Sequence, residues 1–222
     1  MALGIGGCSQ ASPVAEPVQA PAAQRAEAPR GTDSYAFAFG AGPVAVDLFT
    51  DAACPYCRHF DEATRERLAA LIADDEITFR LHPVNYVSGK HGDVTGFSTR
   101  AMNLLAAIAD SGQVDRVPAV YGAILEAQPR DAAGPAPTDF ALLEIASAQG
   151  VRLSAELRDA VESGRWNEWV QRANDAASSR TLGRTGTPLR YVPTVLVEGR
   201  QFEVRDDGTD VARLEAAIRQ SD

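Results

Sequence analysis

Residues 47–60 read DLFTDAACPYCRHF, and this stretch decides how the whole chain is interpreted. It starts inside a mostly apolar run, Val44 to Phe49, which predicts a strand buried on both faces of a sheet. After the two cysteines of this stretch, apolar residues recur at helical spacing: Phe60, Ala63, Leu68, Leu71 and Ile72. The two cysteines, Cys54 and Cys57, are therefore predicted to lie where a buried strand turns into a helix.

The position of this cysteine pair predicts redox chemistry. At a helix N-terminus the unpaired backbone amides and the helix dipole stabilise a thiolate, which is the attacking form of a thiol. Pro55 suits the first helical turn, because the amide hydrogen that proline lacks would have no partner there. We predict that Cys54 is the nucleophile. Cys57, one turn later and behind it, then resolves the mixed disulfide and releases the substrate.

A C-x-x-C pair can also belong to a zinc site or to a structural disulfide. A structural zinc site needs four ligands, and these usually include a second C-x-x-C or a spaced histidine pair. The chain offers only His59, His82 and His91 besides the cysteines, and spacing places no fourth ligand. The prediction is therefore a redox pair, with no metal and no cofactor.

The segments on either side of the cysteines predict a mixed α/β fold. Ser34 to Phe39 alternates as a strand does, and Ile77 to Leu81 closes a β-α-β unit around the cysteine helix. Helical spacing dominates the middle of the chain. Thr138 and Ser154 are predicted to be N-caps in this region, because each precedes an apolar-periodic segment.

The last section of the chain returns to strands. Thr194 to Val197 and Gln201 to Val204 flank a hairpin signal, and Thr209 is predicted to cap a C-terminal helix. Before this section, Trp166 and Trp169 share one face of a helix. At that spacing they are interpreted as core residues rather than as a ligand site.

A second functional element is Pro193, in the stretch YVPTVLVEGR at residues 191–200. A proline at the entry of a strand indicates a sheet edge or a special turn, because proline cannot donate a ladder hydrogen bond. A cis bond before Pro193 would expose the Val192 backbone for pairing with an extended peptide. From the residues alone an ordinary trans proline stays open, since cis is the minority state.

Together these two elements resemble the thioredoxin superfamily, in particular its DsbA-like branch. The string DLFTDAACPYCRHF resembles the active site of that branch, and VPTVLVEGR resembles its cis-proline strand and hairpin. The resemblance implies an α/β thioredoxin fold with an inserted helical domain. The chain then divides into an N-terminal tether at residues 1–31, the first part of the thioredoxin domain at 32–95, a helical insertion at 96–165 and the second part of the thioredoxin domain at 166–222.

The same resemblance implies roles for residues around the nucleophile. Pro193 is implied to be cis and packed against the nucleophilic sulfur. Pro55 and Tyr56, between the cysteines, are implied to tune the redox potential. A groove for unfolded polypeptide is implied around the active site, with Val192 and Thr194 as substrate-binding residues.

The chain departs from the family pattern in two places. Many relatives carry a buried acid six residues before the first cysteine that is thought to relay protons, and Leu48 occupies that position here. Asp47 and Asp51 are close in sequence but neither matches it, which leaves the proton acceptor open. Pro188, in a Gly-Thr-Pro string, resembles the usual lead-in to the cis proline but comes early, so it is a rival to Pro193.

Charge and the N-terminus predict where the protein acts. A formal net charge of −9 argues against nucleic acid or an anionic membrane surface as the main partner. Residues 5–8, IGGC, resemble the end of a bacterial lipoprotein signal with Cys8 as the lipidated residue, and an Ala/Pro-rich tether follows. We expect an extracytoplasmic protein, periplasmic or at the cell surface, attached to a membrane only through a lipid on Cys8. The alternative is an incidental cysteine in a disordered segment.

The sequence thus predicts a dithiol–disulfide exchange enzyme that acts on unfolded or reduced proteins and is reoxidised by a redox partner protein. Oxidation of the substrate is the preferred direction. A reductase or isomerase stays open, because potentials across the fold run from about −270 to about −120 mV. The alternatives from other classes are a non-catalytic binding module with an inert disulfide, and a metal chaperone.

Overall fold

A six-stranded mixed sheet lies at the centre of the computed structural model, which describes residue 1, residues 28–129 and residues 134–221. The strands are β1 (Thr32–Asp33), β2 (Ala36–Phe39), β3 (Val44–Thr50), β4 (Ile77–Pro83), β5 (Thr194–Val197) and β6 (Arg200–Phe202). Their order across the sheet is β1-β2-β4-β3-β5-β6. Cys8 and nearly all of the expected tether lie outside the described residues.

The register of the sheet brings the two functional elements together. β3 pairs in parallel with β4 and antiparallel with β5, and Phe49 lies opposite Thr194. The carboxyl end of β3, from which the cysteine loop leaves, is therefore next to the start of β5, which follows Pro193. Because side chains alternate along a strand, Leu48 and Thr50 point to one face of the sheet and Phe49 to the other.

Helices cover both faces of the sheet. They are α1 (Pro55–Ala73), α2 (Val87–Lys90), α3 (Phe97–Asp110), α4 (Val117–Glu126), α5 (Asp139–Ala148), α6 (Ala155–Glu162), α7 (Asn167–Ser179) and α8 (Asp210–Arg219), with a 3-10 turn at Val114–Arg116. α1 packs on β4 and against α4 and α8, and α7 packs on β4 and against α3. In the described parts of the chain, no helix is both long enough and apolar enough to cross a membrane.

The helical block falls between the two halves of the sheet, since α3 to α6 separate β4 from α7 and β5. Its predicted caps are confirmed: the Thr138 hydroxyl accepts from the amide of Ala141, and the Ser154 hydroxyl accepts from the amide of Leu157. The observed fold is the predicted thioredoxin fold with an inserted helical domain.

The interpretation of the two tryptophans as core residues is also confirmed. Trp166 and Trp169 are buried, and the Trp169 ring packs against Tyr35 and Phe37 at the β1–β2 edge of the sheet. The Trp169 ring thus contributes to the apolar contact between α7 and the sheet.

Two local expectations are wrong. Ser34 to Phe39 is not one strand, because Ser34 has a left-handed backbone (φ 58°) and turns the chain, so that β1 folds back on β2. Thr209 precedes α8, but its hydroxyl donates to Asp207 instead of accepting from a helix amide. The alternation of apolar residues does not reveal the turn at Ser34. A threonine before a helix likewise does not reveal whether its hydroxyl accepts from a helix amide.

Candidate dithiol active site

Cys54 lies at the N-terminus of the longest helix described. It is the N-cap of α1 with an extended backbone, and Pro55 follows at the start of the helix. The Cys54 amide donates to the carbonyl of Asp51 over 3.1 Å, which closes a tight turn after β3. This turn presents the sulfur to the unpaired amides of the first helical turn.

The environment of the two sulfurs separates their acidities. A side-chain hydrogen bond with Cys57 lowers the pKa of Cys54 below its ordinary value of 9.0, and the backbone amides of Cys57 and Tyr56 act in the same direction. Burial and the charge of Asp51 oppose them. Burial raises the pKa of Cys57 well above its ordinary value, because this residue is only 1% exposed. Cys54 is therefore the better thiolate and Cys57 the thiol that donates to it.

The proline loop forms the other wall of the site. The Val192–Pro193 peptide bond is cis, so Pro193 and not Pro188 holds the configuration that the resemblance implies. The carbonyl oxygen of Val192 lies 3.5 Å from the Cys54 sulfur. The side chain of Thr194 is buried, and its hydroxyl donates to the carbonyl of Tyr191 over 2.7 Å. The side chain of Val192 is also buried, so both residues can face a substrate only through their backbones.

Exposed apolar and aromatic side chains flank the cysteine turn and the cis-proline loop. Tyr56 is 64% exposed on one side and Tyr191 is 54% exposed next to the cis bond. A groove of about 350 Å³ starts at Ala53 and Pro55 and passes the exposed Val94. The family resemblance implied a groove around the active site, but the residues that line it could not be named from the sequence because they come from segments distant along the chain.

The helical insertion contacts the cysteine loop through hydrogen bonds from Gln128. Its side-chain amide donates to the carbonyl oxygens of Ala52 over 2.6 Å and Cys54 over 3.1 Å, and the residue is buried. Sequence analysis missed this residue, since nothing in the neighbourhood of Gln128 marks a contact with residues more than 70 positions earlier. The insertion therefore has a direct part in positioning the active-site turn.

Gln128→Ala should change the reactivity of Cys54 as well as the stability of the fold. The two carbonyls would lose their buried partner, so we expect the free energy of unfolding to fall by about 1–2 kcal/mol. The loosened turn should also slow disulfide exchange at Cys54, measured with a fluorescent disulfide. Gln113→Ala is the matched control, because Gln113 is likewise buried and bonded to Arg152, away from the cysteines. Equal exchange rates in the two variants would contradict a positioning role for Gln128.

Asp51 is the buried carboxylate nearest the cysteines in sequence. It is fully buried and accepts hydrogen bonds from the Ala53 amide (2.9 Å), the Val87 amide (2.8 Å) and the Ser98 hydroxyl (2.5 Å). Burial raises its pKa in spite of these bonds. The Asp51 carboxylate thus connects the cysteine turn to α2 and α3. Its hydrogen bonds are made with these segments and not with either sulfur.

The other two positions considered for a proton acceptor lie on opposite faces of β3. Leu48 is buried on the face that packs against α1. Asp47 is on the other face, where its carboxylate lies 2.8 Å from Nε2 of His82 and 3.6 Å from Nη1 of Arg80. Asp47 is therefore engaged in a separate ion-pair cluster.

The histidines do not converge on the cysteines. His59 is half-exposed and its Nδ1 lies 3.0 Å from Oδ2 of Asp206. The His82 ring stacks on Phe49 with 4.2 Å between centroids. Within the described ranges no three His, Cys, Asp or Glu side chains are grouped as metal ligands.

This fold and site define a thioredoxin-fold protein with a C-x-x-C dithiol facing a cis-proline loop. A thioredoxin family model matches residues 40–220, and the chain belongs to that family. No curated protein sequence matches the chain.

Several solved structures, among them DsbA proteins, share this fold. DsbA from Mycobacterium tuberculosis superposes with a TM-score of 0.64 at 17% identity, covering 85% of this chain and 100% of that one. MdbA from Corynebacterium diphtheriae, a thiol-disulfide oxidoreductase, gives 0.67 at 20% identity, with 86% and 92% covered. BdbD from Bacillus subtilis gives 0.65 at 18% identity, with 83% and 91% covered.

Proposed function

We propose that the protein is a thiol–disulfide oxidoreductase that donates a Cys54–Cys57 disulfide to reduced protein substrates outside the cytoplasm. The observation that carries the proposal is the different placement of the two thiols: Cys54 begins α1 with its sulfur 3.5 Å from the Val192 carbonyl oxygen, and Cys57 is buried one turn later, which lowers the pKa of Cys54 and raises that of Cys57. An inert structural disulfide needs no such difference. A nucleophile and its resolving partner do.

The exchange proceeds in two displacements. A substrate thiolate attacks the Cys54 sulfur of the oxidised protein, the Cys54–Cys57 bond breaks, and the electron pair leaves on Cys57. A second substrate thiolate then attacks the substrate sulfur of the mixed disulfide and releases Cys54 as a thiolate. Two electrons pass from the substrate dithiol to the protein, and a redox partner protein must remove them before the next cycle.

Extended, unfolded polypeptide is the substrate class that best fits the surface. The Val192 carbonyl next to the nucleophile can accept a backbone hydrogen bond from an extended chain, as strand addition requires. The exposed rings of Tyr56 and Tyr191 offer apolar contact without a deep specificity pocket. Such a surface favours many sequences over one.

The oxidising direction is supported by the acidity of Cys54. Every contact that stabilises its thiolate stabilises the reduced protein, and a stabilised reduced form makes the disulfide a stronger oxidant. A reductase or isomerase of the same fold is the second candidate, favoured by the buried Cys57 with its raised pKa. A non-catalytic binding module would need an unreactive Cys54.

The extracytoplasmic setting is part of the proposal. A disulfide donor functions where disulfides persist, which is outside the cytoplasm. A lipid on Cys8 would hold the domain at a membrane face, and mass spectrometry of the native protein tests that attachment. An unmodified Cys8 would exclude the lipid anchor and leave the exchange chemistry untouched.

Alkylation of Cys54 across a pH series tests the proposed nucleophile. Because its pKa is lowered, Cys54 should keep its thiolate, and hence its reactivity towards iodoacetamide, at lower pH than a free cysteine does. The rate should fall only as the pH drops through the lowered pKa. Mass spectrometry locates the label. A Cys54 whose pH profile equals that of free cysteine would favour the binding module.

A further inference from the structure

The buried resolving cysteine poses a proton-transfer problem. Cys57 is 1% exposed, and burial raises its pKa, so solvent cannot reach the sulfur directly. In the exchange proposed above, the sulfur gains a proton after it leaves as a thiolate, and loses one whenever it attacks a mixed disulfide. Leu48, at the position of the family's buried acid, has no ionisable group and cannot transfer a proton.

Two hydroxyl groups lead away from this sulfur. Thr50, the last residue of β3, is completely buried, and its hydroxyl lies near enough to the Cys57 sulfur to lower the pKa of that thiol against the larger effect of burial. The same hydroxyl hydrogen-bonds the phenolic oxygen of Tyr121, a buried residue of α4. Sulfur, threonine hydroxyl and tyrosine hydroxyl therefore form one connected chain from α1 through the sheet to the insertion.

The outer end of this chain borders a cavity. Tyr121 lines a cavity of about 590 Å³ between α1, α4 and the sheet, together with Leu48, Asp61 and Arg65. The side chain of Arg65 is 36% exposed and pairs with Asp61 at 2.5 Å. Leu48 contributes only apolar surface to this cavity, whereas Asp61 and Arg65 give it a polar rim that solvent reaches.

We propose that the Thr50 and Tyr121 hydroxyls are the proton route of Cys57, connecting its sulfur to solvent at the cavity bordered by Asp61 and Arg65. When the Cys57 thiolate leaves, Thr50 donates its proton to the sulfur, takes one from Tyr121, and Tyr121 recovers one from water. When Cys57 attacks, the same three transfers run backwards as its S–H bond breaks. This route rests on the proposed exchange activity.

The acidity of Tyr121 suits a relay. Burial raises its pKa well above 10.0, and the charges of Cys57 and Asp61 act in the same direction. The phenol therefore stays neutral and passes a proton on without holding a negative charge. Thr50 touches the reacting sulfur, whereas Tyr121 acts through Thr50.

Other titratable groups face Cys57 but are not connected to it in this way. Cys54 is its partner in exchange, and Asp51 contributes a backbone hydrogen bond while its carboxylate is engaged elsewhere. Tyr86 directly precedes α2. Burial is the largest influence that raises its pKa, and the charges of Asp51, Cys57 and Cys54 act in the same direction. Tyr86 is thus a matched tyrosine near the same sulfurs and outside the Thr50 network.

The test isolates the step that depends on Cys57. Glutathione is attached to Cys54 by reaction of the reduced protein with glutathione disulfide, and its release by Cys57 is followed by rapid acid quench and mass spectrometry. The variants are Tyr121→Phe, Thr50→Val and Thr50→Ser, with Tyr86→Phe as control. Alkylation of Cys54 is measured in each, and thermal unfolding verifies that each is folded.

We expect Tyr121→Phe and Thr50→Val to slow glutathione release at neutral pH by about tenfold or more, the scale of a lost acid–base group. The deficit should be larger at pH 6 than at pH 9, because a larger fraction of Cys57 has already lost its proton at the higher pH and needs no transfer during the attack. Thr50→Ser, which keeps the hydroxyl, should restore most of the rate, and Tyr86→Phe should match the wild type. Should Tyr121→Phe fail to fold, the comparison of Thr50→Val with Thr50→Ser still tests the relay.

Equal release rates in Thr50→Val and Thr50→Ser, or a deficit that is the same at every pH, would overturn the relay. A different result marks failure of the proposed function itself: wild-type Cys54 would then form no mixed disulfide, or Cys57 would not release it. The two failures are therefore distinguishable in one data set.

Discussion

Replacing Cys54 by alanine is expected to abolish disulfide exchange, whereas replacing Cys57 by alanine should leave a protein that traps its substrates. Without Cys54 the remaining thiol of the active site is that of Cys57, whose pKa burial raises, so it supplies little thiolate at neutral pH. Without Cys57 a mixed disulfide at Cys54 has no resolving thiol. Oxidation of a reduced, unfolded ribonuclease, followed by its regained activity, measures the first effect, and non-reducing electrophoresis measures the second.

The Cys57→Ala variant also tests the origin of the Cys54 acidity. The hydrogen bond with Cys57 is the largest influence that lowers the pKa of Cys54. Its removal should shift the alkylation profile of Cys54 to higher pH, so that the variant reacts more slowly than the wild type near pH 6. Residual exchange in Cys54→Ala at a rate near the wild type, or an unshifted profile in Cys57→Ala, would contradict these assignments.

Replacing Asp51 by alanine is expected to cause the largest loss of stability among single changes near the site. The Ala53 amide, the Val87 amide and the Ser98 hydroxyl would all lose their buried acceptor. Because each unsatisfied buried donor costs about 1–3 kcal/mol, the free energy of unfolding should fall by about 3 kcal/mol or more. Urea denaturation at neutral pH measures it.

The pH dependence of this loss has a definite sign. Burial raises the folded-state pKa of Asp51 above the ordinary value of 3.8, so the proton-linked part of its contribution is complete below that value and is lost as the pH rises through the folded pKa, while the hydrogen bonds to its carboxylate remain. The difference between wild type and Asp51→Ala should therefore narrow from pH 4 towards pH 8. Asp47→Ala is the control, since Asp47 lies in a partly exposed ion pair on the same strand and should cost about 1 kcal/mol or less. A smaller loss in the free energy of unfolding for Asp51→Ala than for Asp47→Ala would contradict the proposed connection of Asp51 to α2 and α3.

Local patterns were sufficient to predict the frame of the active site. The apolar run at Val44 to Phe49 and the helical spacing after it predicted the strand-to-helix turn at Cys54 and Cys57, and the structure has β3 and α1 there. The strand after Pro193 was predicted because β-branched and apolar residues follow it directly. Each of these signals lies within about ten residues of the feature that it predicts.

Features that depend on tertiary contacts could not be predicted in the same way. Tyr121, in α4, and Gln128, just after α4, reach the cysteine region from more than 70 positions away in sequence, and neither lies in a recognisable motif. The role of Asp51 was left open because its significance comes from Val87 and Ser98, which only the fold brings to it. Ser34 failed as a strand residue because a single left-handed backbone angle is not encoded in the alternation of apolar residues.

The most direct test of the account is the reduction potential of the Cys54–Cys57 pair, measured by equilibration with glutathione in a Cys8→Ser background so that only this pair titrates. We expect a value closer to that of DsbA, about −120 mV, than to that of thioredoxin, because the contacts that lower the pKa of Cys54 stabilise the reduced protein. A value near that of thioredoxin, about −270 mV, would contradict a disulfide donor and identify the protein as a reductase.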